Sequence, residues 1–322
     1  MIKRKLYLHI GMEKTGSTSI QESLFINREN LLRQGIATLD CCGLKNSRKF
    51  SLYALEQGTF DDFFIENSIL TEAQRRTFDR TIEDDLQLEI SCLPENIHTV
   101  IISSEHLHSR LKKITEISRL YTFLTKYFEN IEVLCYVREQ SLVAVSWYST
   151  IIKSGNIRHK NRVPNFYEYL EIWCKKENHY FNYIRILEKW SSVFGKNRVN
   201  VRLFDKSAFY KSNLLDDFYK LAGEPYTENF IRLSPKNESL SNFGLLLGRI
   251  VNDIFPRFTP YSGIRYRLIN LIEFLYRGSP KLIDKKMYDT VYNHFLDENK
   301  KLSIEYFGVN ENVFEYKPPE QG

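Results

Sequence analysis

Residues Leu8 to Leu24 read LHIGMEKTGSTSIQESL. The stretch crowds two glycines, a lysine and several hydroxyl residues between two apolar patterns. Upstream, Lys5–Ile10 fits a short strand. Downstream, Ile20, Leu24, Leu31 and Leu32 recur at helical spacing, so Thr18–Arg33 fits a helix that Gly35 stops. Strand, glycine turn and helix is the arrangement that offers backbone N–H groups at a helix N-terminus to an anion. Gly11 and Gly16 let the chain turn and approach a ligand. Lys14 adds a positive charge, and Thr15, Ser17, Thr18 and Ser19 supply hydroxyls. A helix cap alone needs one such hydroxyl. The standard nucleotide loop, G-x-x-x-x-G-K-[ST], carries its lysine after the second glycine and a magnesium-holding hydroxyl after that. Here the order is G-M-E-K-T-G-S-T, with Lys14 before Gly16.

The rest of the chain repeats the strand–helix alternation. Thr99–Ser103 (TVIIS) and Glu132–Val137 (EVLCYV) are β-branched or apolar runs that read as buried strands, and Arg198–Phe204 reads as a third. Leu52–Ile90 is polar and helical in character. Helices are predicted over Ile117–Phe128, Ser141–Lys153, Asn165–Trp173, Tyr180–Phe194 and Asn213–Leu221. This alternation predicts an α/β fold: a P-loop-type parallel sheet flanked by helices. After Ser239 the strand signals fade, which predicts a C-terminal helical extension. The KPPEQG tail reads as frayed.

Bulk composition narrows the function classes. The chain has 322 residues, 43% hydrophobic and 26% charged, so a large globular core is available. A net charge of +5 is too dilute for a dedicated nucleic-acid binder but suits an anionic ligand. The five cysteines form no C-x-x-C pair, which favours reduced thiols and a cytoplasmic protein over a disulfide framework or zinc site. The basic N-terminus is followed by too short an apolar run for a signal-peptide core, and no stretch approaches the ~18 uninterrupted apolar residues of a membrane span.

HIGMEKTGSTSIQ resembles the 5′-phosphosulfate loop of sulfotransferases that use 3′-phosphoadenosine 5′-phosphosulfate (PAPS), in which the lysine also precedes the glycine. That resemblance implies a later strand ending in arginine and a serine in the next helix, both binding the 3′-phosphate. Val133–Gly155 reads VLCYVREQSLVAVSWYSTIIKSG. Arg138 follows a predicted strand and Ser146 lies eight residues on. Tyr148, Lys153 and Gly155 also match the family pattern. An arginine suits bidentate phosphate binding, and the C-terminal end of a strand faces the ligand crevice of such sheets. The plainer alternative pairs Arg138 with Glu139 or Glu132.

The resemblance continues loosely through RVNVRLFDKSAF, LLDDFYKLAGEP and the KNESLSNFGLLLGRIVN segment common in bacterial members. It implies a PAPS-binding α/β domain over residues 1–252, with 253–322 as a helical extension packed on it. The R-K-G sequence of the cytosolic animal enzymes is absent, which directs the resemblance to a bacterial, carbohydrate-type branch. The implied acceptor is a glycan hydroxyl, the implied product adenosine 3′,5′-bisphosphate, and no metal is required.

The family carries its catalytic base at the end of the strand upstream of the arginine strand. In TVIISSEHLHS that position offers Glu105 first and His106 second, with Lys14 suited to the leaving group. His108 is expected as a solvated loop histidine. His9 reads either as a site residue or as a core histidine bonded to backbone. Lys236 and Asn237 either close over the adenosine 3′ side or form a polar loop. In Tyr261–Gly278, Ile264, Leu268, Ile272 and Leu275 fit the packed face of a helix; Arg265, Arg267 and Arg277 with the tyrosines would alternatively meet an anionic glycan or, peripherally, a membrane. Packing is the preferred reading. The rival functions are a P-loop kinase or NTPase using ATP and magnesium, and a non-catalytic nucleotide-binding protein.

Overall fold

A computed structural model describes residues 4–59, 61–155, 162–223, 229–233, 239–257, 259–278 and 280–319. In chain order the elements begin β1 (Arg4–His9), α1 (Ser17–Ile26), α2 (Arg28–Arg33), β2 (Ile36–Thr38), α3 (Arg48–Ala54), α4 (Asp62–Glu66) and α5 (Glu72–Cys92). They continue with β3 (Thr99–Ser103), α6 (His106–Arg110), α7 (Ile114–Leu124), β4 (Phe128–Val137), α8 (Gln140–Ser154), α9 (Phe166–Trp173) and α10 (Tyr183–Phe194). The last are β5 (Val199–Leu203), α11 (Leu214–Leu221), α12 (Asn242–Ile254), α13 (Ser262–Leu275), α14 (Lys285–His294) and α15 (Leu296–Leu302). The chain gathers into two compact units that interleave in sequence: residues 1–137 with 183–234, and residues 138–182 with 235–322.

The first unit holds the sheet. Its strand order is β2-β3-β1-β4-β5, and every pairing is parallel, as the strand–helix alternation predicts. Side chains alternate along the strands, and both faces are buried. Tyr7, Ile101, Leu134 and Tyr136 pack with Ile20 and Phe218 in one core, while Leu6, Leu8, Val100 and Ile102 are buried at the intervening positions. Arg4 anchors the start of β1. Its buried guanidinium donates to the carbonyls of Ile90, Leu93, Pro94 and Ile97, closing the end of α5.

Several elements differ from their sequence expectation. The helix predicted over Thr18–Arg33 breaks at Asn27. Its amide donates to the carbonyls of Ser23 (3.0 Å) and Ile231 (3.2 Å) and accepts from the Ile231 N–H (2.7 Å). This tertiary bonding overrides local helix propensity. The long helical stretch to Ile90 is three helices, α3 to α5, the last opened by a Thr71–Gln74 capping box. β4 starts four residues earlier than expected, at Phe128, and so ends α7 at Leu124. The three-residue edge strand β2 has too little pattern to be read from sequence.

The second unit is helical in its described residues. Tyr148, Tyr169, Phe181 and Phe295 lie in its core. Gln140 and Asn299 exchange buried amide hydrogen bonds of 2.8 and 3.0 Å, which satisfies both polar groups. α8 ends at Gly155, in the left-handed conformation (φ +71°), as expected. α13 is rotated relative to its sequence reading. Arg265 is buried, donating to Asn252 Oδ1 at 2.6 Å and to the Lys153 carbonyl at 2.8 Å, while Ile264 and Leu275 are about half exposed. Hydrogen bonding by the guanidinium, closing the last turn of α8, decides which face turns inward. Lys236 and Asn237 lie outside the described residues.

α12 reaches this packing through Gly248, where an added Cβ would lie 2.4 Å from Ile152 Cγ2. Gly248→Ala is expected to destabilise the protein by about 1–3 kcal/mol through overpacking. The check is urea unfolding, with a lowered midpoint and an unchanged slope.

Candidate anion-binding and catalytic site

Parallel pairing aligns His9 at the end of β1 with Ser103 at the end of β3 and Leu134 in β4. The segments leaving β1 and β3 therefore emerge side by side at the C-terminal edge of the sheet, where ligands of open α/β sheets bind. The segment after β1 is the glycine loop. The segment after β3 carries Glu105 and His106.

Three loop residues have positive φ: Gly11 (+88°), Lys14 (+68°) and Gly16 (+79°). For a lysine this conformation costs about 1 kcal/mol or more, and such outliers concentrate at functional sites. Positive φ at neighbouring residues is the backbone condition under which successive N–H groups can converge on an anion. Gly16 is the N-cap of α1, and no side chain caps the helix. The first-turn N–H groups thus stand at the positive end of the helix dipole without a side-chain acceptor. A Cβ at Gly16 would lie 2.3 Å from Leu214 Cδ2, and one at Gly11 would lie 2.7 Å from Glu105 Cα. Both glycines are fixed by close approach as well as by φ.

The predicted hydroxyls divide. Thr15 is fully buried and its hydroxyl donates to the Met12 carbonyl at 2.6 Å, so it braces the loop and its backbone N–H is the group left for a ligand. Ser17 is buried and makes a long bond (3.4 Å) to the same carbonyl. Thr18 is exposed, while Ser19 and Lys14 are half-buried. The residues present fit a bound phosphate or sulfate: backbone and hydroxyl donors with a cation at Lys14, and Glu13 as the one carboxylate within the loop.

Glu105 is held from two sides. Its Oε2 accepts from Gln21 Nε2 at 2.6 Å and from Asn46 Nδ2 at 2.9 Å. Asn46 Oδ1 accepts in turn from Ser104 Oγ at 2.7 Å. Oε1 has no hydrogen bond to the described residues. The carboxylate is therefore oriented with one oxygen engaged and one available to a proton. Gln21 and Asn46 were missed in the sequence. Gln21 sits one turn after Ser17 on the buried side of α1, which is a usable signal. Asn46 lies in an aperiodic loop, which gives none.

His106 follows directly. Burial of its ring lowers its pKa below the ordinary 6.5, opposed by the neighbouring Glu105 charge, and its buried Nδ1 has no hydrogen-bond partner among the described residues. His108, expected in solvent, is buried, and its Nδ1 accepts a long 3.4 Å bond from the Glu13 N–H. It sits on the short α6, which meets the loop at Glu13. His9 is fully buried and bonded to a side chain rather than to backbone. Its Nδ1 is 2.8 Å from Ser103 Oγ, and its ring meets Phe218 and Tyr136 edge-on.

In the second unit, Arg138 is half-buried and directly follows the last residue of β4. The two carboxylates considered as its plainer partners have other bonds. Glu139 caps α8, accepting from the N–H groups of Ser141 and Leu142 and from the Ser141 hydroxyl. Burial raises the Glu139 pKa, and the Arg138 charge opposes that rise. Glu132 accepts from Asn200 at 3.0 Å. Ser146 is half-buried about two turns into α8. Tyr148 and Lys153 have structural bonds: the phenol donates to the Pro164 carbonyl (2.8 Å) and the ammonium pairs with Glu273 (2.7 Å).

No family model matches the sequence. An uncharacterized protein of Archaeoglobus fulgidus is 26% identical over 216 residues, covering 65% of this chain and 54% of that protein. The chain thus spans about half the length of the curated relative it matches. A crystal structure of a sulfotransferase from Alicyclobacillus acidocaldarius aligns over 84% of this chain and 97% of its own, with 16% identity and a TM-score of 0.42. A likeness that loose carries no weight for function.

Burial drives the His9 pKa down to about 3 in the folded protein, against 6.5 in the unfolded chain. Between those values the unfolded state binds the proton and the folded state does not. Stability is therefore complete above pH 6.5 and falls as pH drops toward 3, by up to about 1.4 kcal/mol per pH unit. Urea midpoints measured from pH 7 to pH 4 are expected to fall less steeply in His9→Asn than in wild type; equal slopes would contradict this.

Proposed function

We propose that the chain is a PAPS-dependent sulfotransferase acting on an acceptor hydroxyl of a carbohydrate. The observation that carries the reading is the loop Gly11–Ser19: an uncapped helix N-terminus with a lysine ahead of its second glycine, lying against a glutamate held by two amides. PAPS supplies a sulfuryl group already activated on a nucleotide phosphate, so the protein need only bind, orient and stabilise charge.

In this reading the N–H groups of Thr15, Gly16, Ser17 and Thr18, with the hydroxyls of Thr18 and Ser19, hold the 5′-phosphosulfate. Lys14 neutralises charge on the leaving oxygen. Glu105 accepts the acceptor's proton at Oε1 while Gln21 and Asn46 hold Oε2. His106, kept neutral by burial, is the second candidate base. Arg138 and Ser146 bind the 3′-phosphate, on the strength of their sequence pattern. The donor-binding part is residues 1–252, with 253–322 as its helical extension. The five free cysteines support a reducing, cytoplasmic setting, and among the described residues no helix is long and apolar enough to cross a membrane.

The test is transfer of labelled sulfuryl from PAPS to a panel of hydroxylated glycans. Lys14→Ala is expected to lower kcat by ~10²–10³, and Glu105→Gln by ~10²–10⁴, with donor KM changed far less in the second. Transfer undiminished by either substitution, or magnesium-dependent ATP turnover with no sulfuryl transfer, would contradict the proposal.

A further inference from the structure

The second unit carries an apolar surface that the proposed reaction does not use. On α12, Phe243, Leu246, Ile250 and Ile254 recur at i, i+3, i+7 and i+11, and each is between 46% and 62% exposed. On α13, Ile264, Leu271 and Leu275 share a face, each about half exposed, with Phe274 beside them at 71%. Tyr261 and Tyr266 are exposed at the N-terminal end of α13. Ten of the 24 exposed large hydrophobic residues among the described residues fall between Phe243 and Leu275. An even spread over the described residues would put about three there, so exposed apolar side chains concentrate on these two packed helices.

The exposure is not looseness. The opposite faces are firmly packed: Gly248 against Ile152, and Arg265 against Asn252 and the Lys153 carbonyl. The fold buries the Arg265 guanidinium beside Ile269 and Ile272 while leaving other aliphatic side chains of the two helices outside.

Charge identifies the occupant. Residues 239–278 contain five arginines and two acids. Arg265 is buried. Asp253 accepts from the Val163 N–H (2.8 Å), and Glu273 pairs with Lys153 (2.7 Å). Arg267 and Arg277 are exposed and Arg249 and Arg257 half-buried, against the single unpaired acid charge of Asp253 among the described residues, so the segment that carries the apolar stripe is net cationic. A second copy docking on it about a two-fold axis would bring like charges together. Aliphatic stripe, flanking arginines and edge tyrosines are what an interfacial helix presents to lipid headgroups and the acyl boundary beneath them.

We propose that the α12–α13 hairpin docks on the surface of an anionic lipid bilayer, lying in its interface without crossing it. The inference is independent of the reaction proposed above.

The test is co-sedimentation of the full chain with phosphatidylcholine vesicles, with and without 30% phosphatidylglycerol. Binding is expected to the anionic vesicles, to weaken with salt, and to be at least tenfold weaker on neutral ones. Arg267→Ala with Arg277→Ala is expected to weaken it by about 25-fold, at roughly fivefold per surface charge. Ile250→Asp with Phe274→Asp is expected to abolish it. These side chains are exposed, so unchanged circular dichroism and Tm verify folding. Absence of anionic-vesicle binding by wild type, or binding indifferent to both double variants, would overturn the proposal. So would a lipid-free dimer dissolved by Phe274→Asp, which would give the face to a second copy.

Discussion

Gly11 and Glu105 approach so closely that a methyl group on the glycine would fall 2.7 Å from the Glu105 Cα. That approach joins the two segments on which the site depends. It exists because β1 and β3 are paired in parallel, with His9 opposite Ser103. Their next residues therefore leave the sheet together. The left-handed conformation of Gly11 then sends the chain into the loop, and Gly16, also left-handed, opens α1 without a side-chain cap. The same helix returns Gln21 to the Glu105 carboxylate. Loop, helix and carboxylate form one closed circuit of contacts, and a change at either glycine disturbs all three.

Polar burial around this circuit has a consistent logic. Thr15 and Ser17 turn their hydroxyls inward to Met12, leaving backbone donors for an anion. Asn46 serves Ser104 and Glu105 at once, tying a distant loop to the end of β3. His9 lies beneath, bonded to Ser103 and enclosed by aromatic rings. Because its ring stays neutral, it adds no positive charge under the loop.

Much of this was legible in the sequence, and the reason differs from residue to residue. The loop and TVIIS were readable because glycine, hydroxyl and β-branched patterns act locally. TVIIS coincides with β3 from Thr99 to Ser103. The position of Arg138 after a strand followed from the apolar run that precedes it. Asn27, Asn46 and Arg265 were not readable, because each takes its role from a hydrogen bond to a residue distant in sequence. Arg265 is the plainest case. Periodicity put Ile264, Leu268, Ile272 and Leu275 inward on α13; Ile272 is buried as read, but a buried guanidinium at Arg265 rotates the face so that Ile264 and Leu275 turn outward. The two interleaved units were equally hidden, since composition does not change at 137, 182 or 234.

The claim that a sulfonucleotide donor is bound is tested most directly by calorimetry with adenosine 3′,5′-bisphosphate. It would be compared with ATP plus magnesium, on wild type and Arg138→Ala. Metal-independent binding of the bisphosphate is expected, weakened about 10- to 100-fold in the variant by loss of a charged hydrogen bond. Preference for ATP with magnesium, or bisphosphate binding indifferent to Arg138, would contradict the assignment.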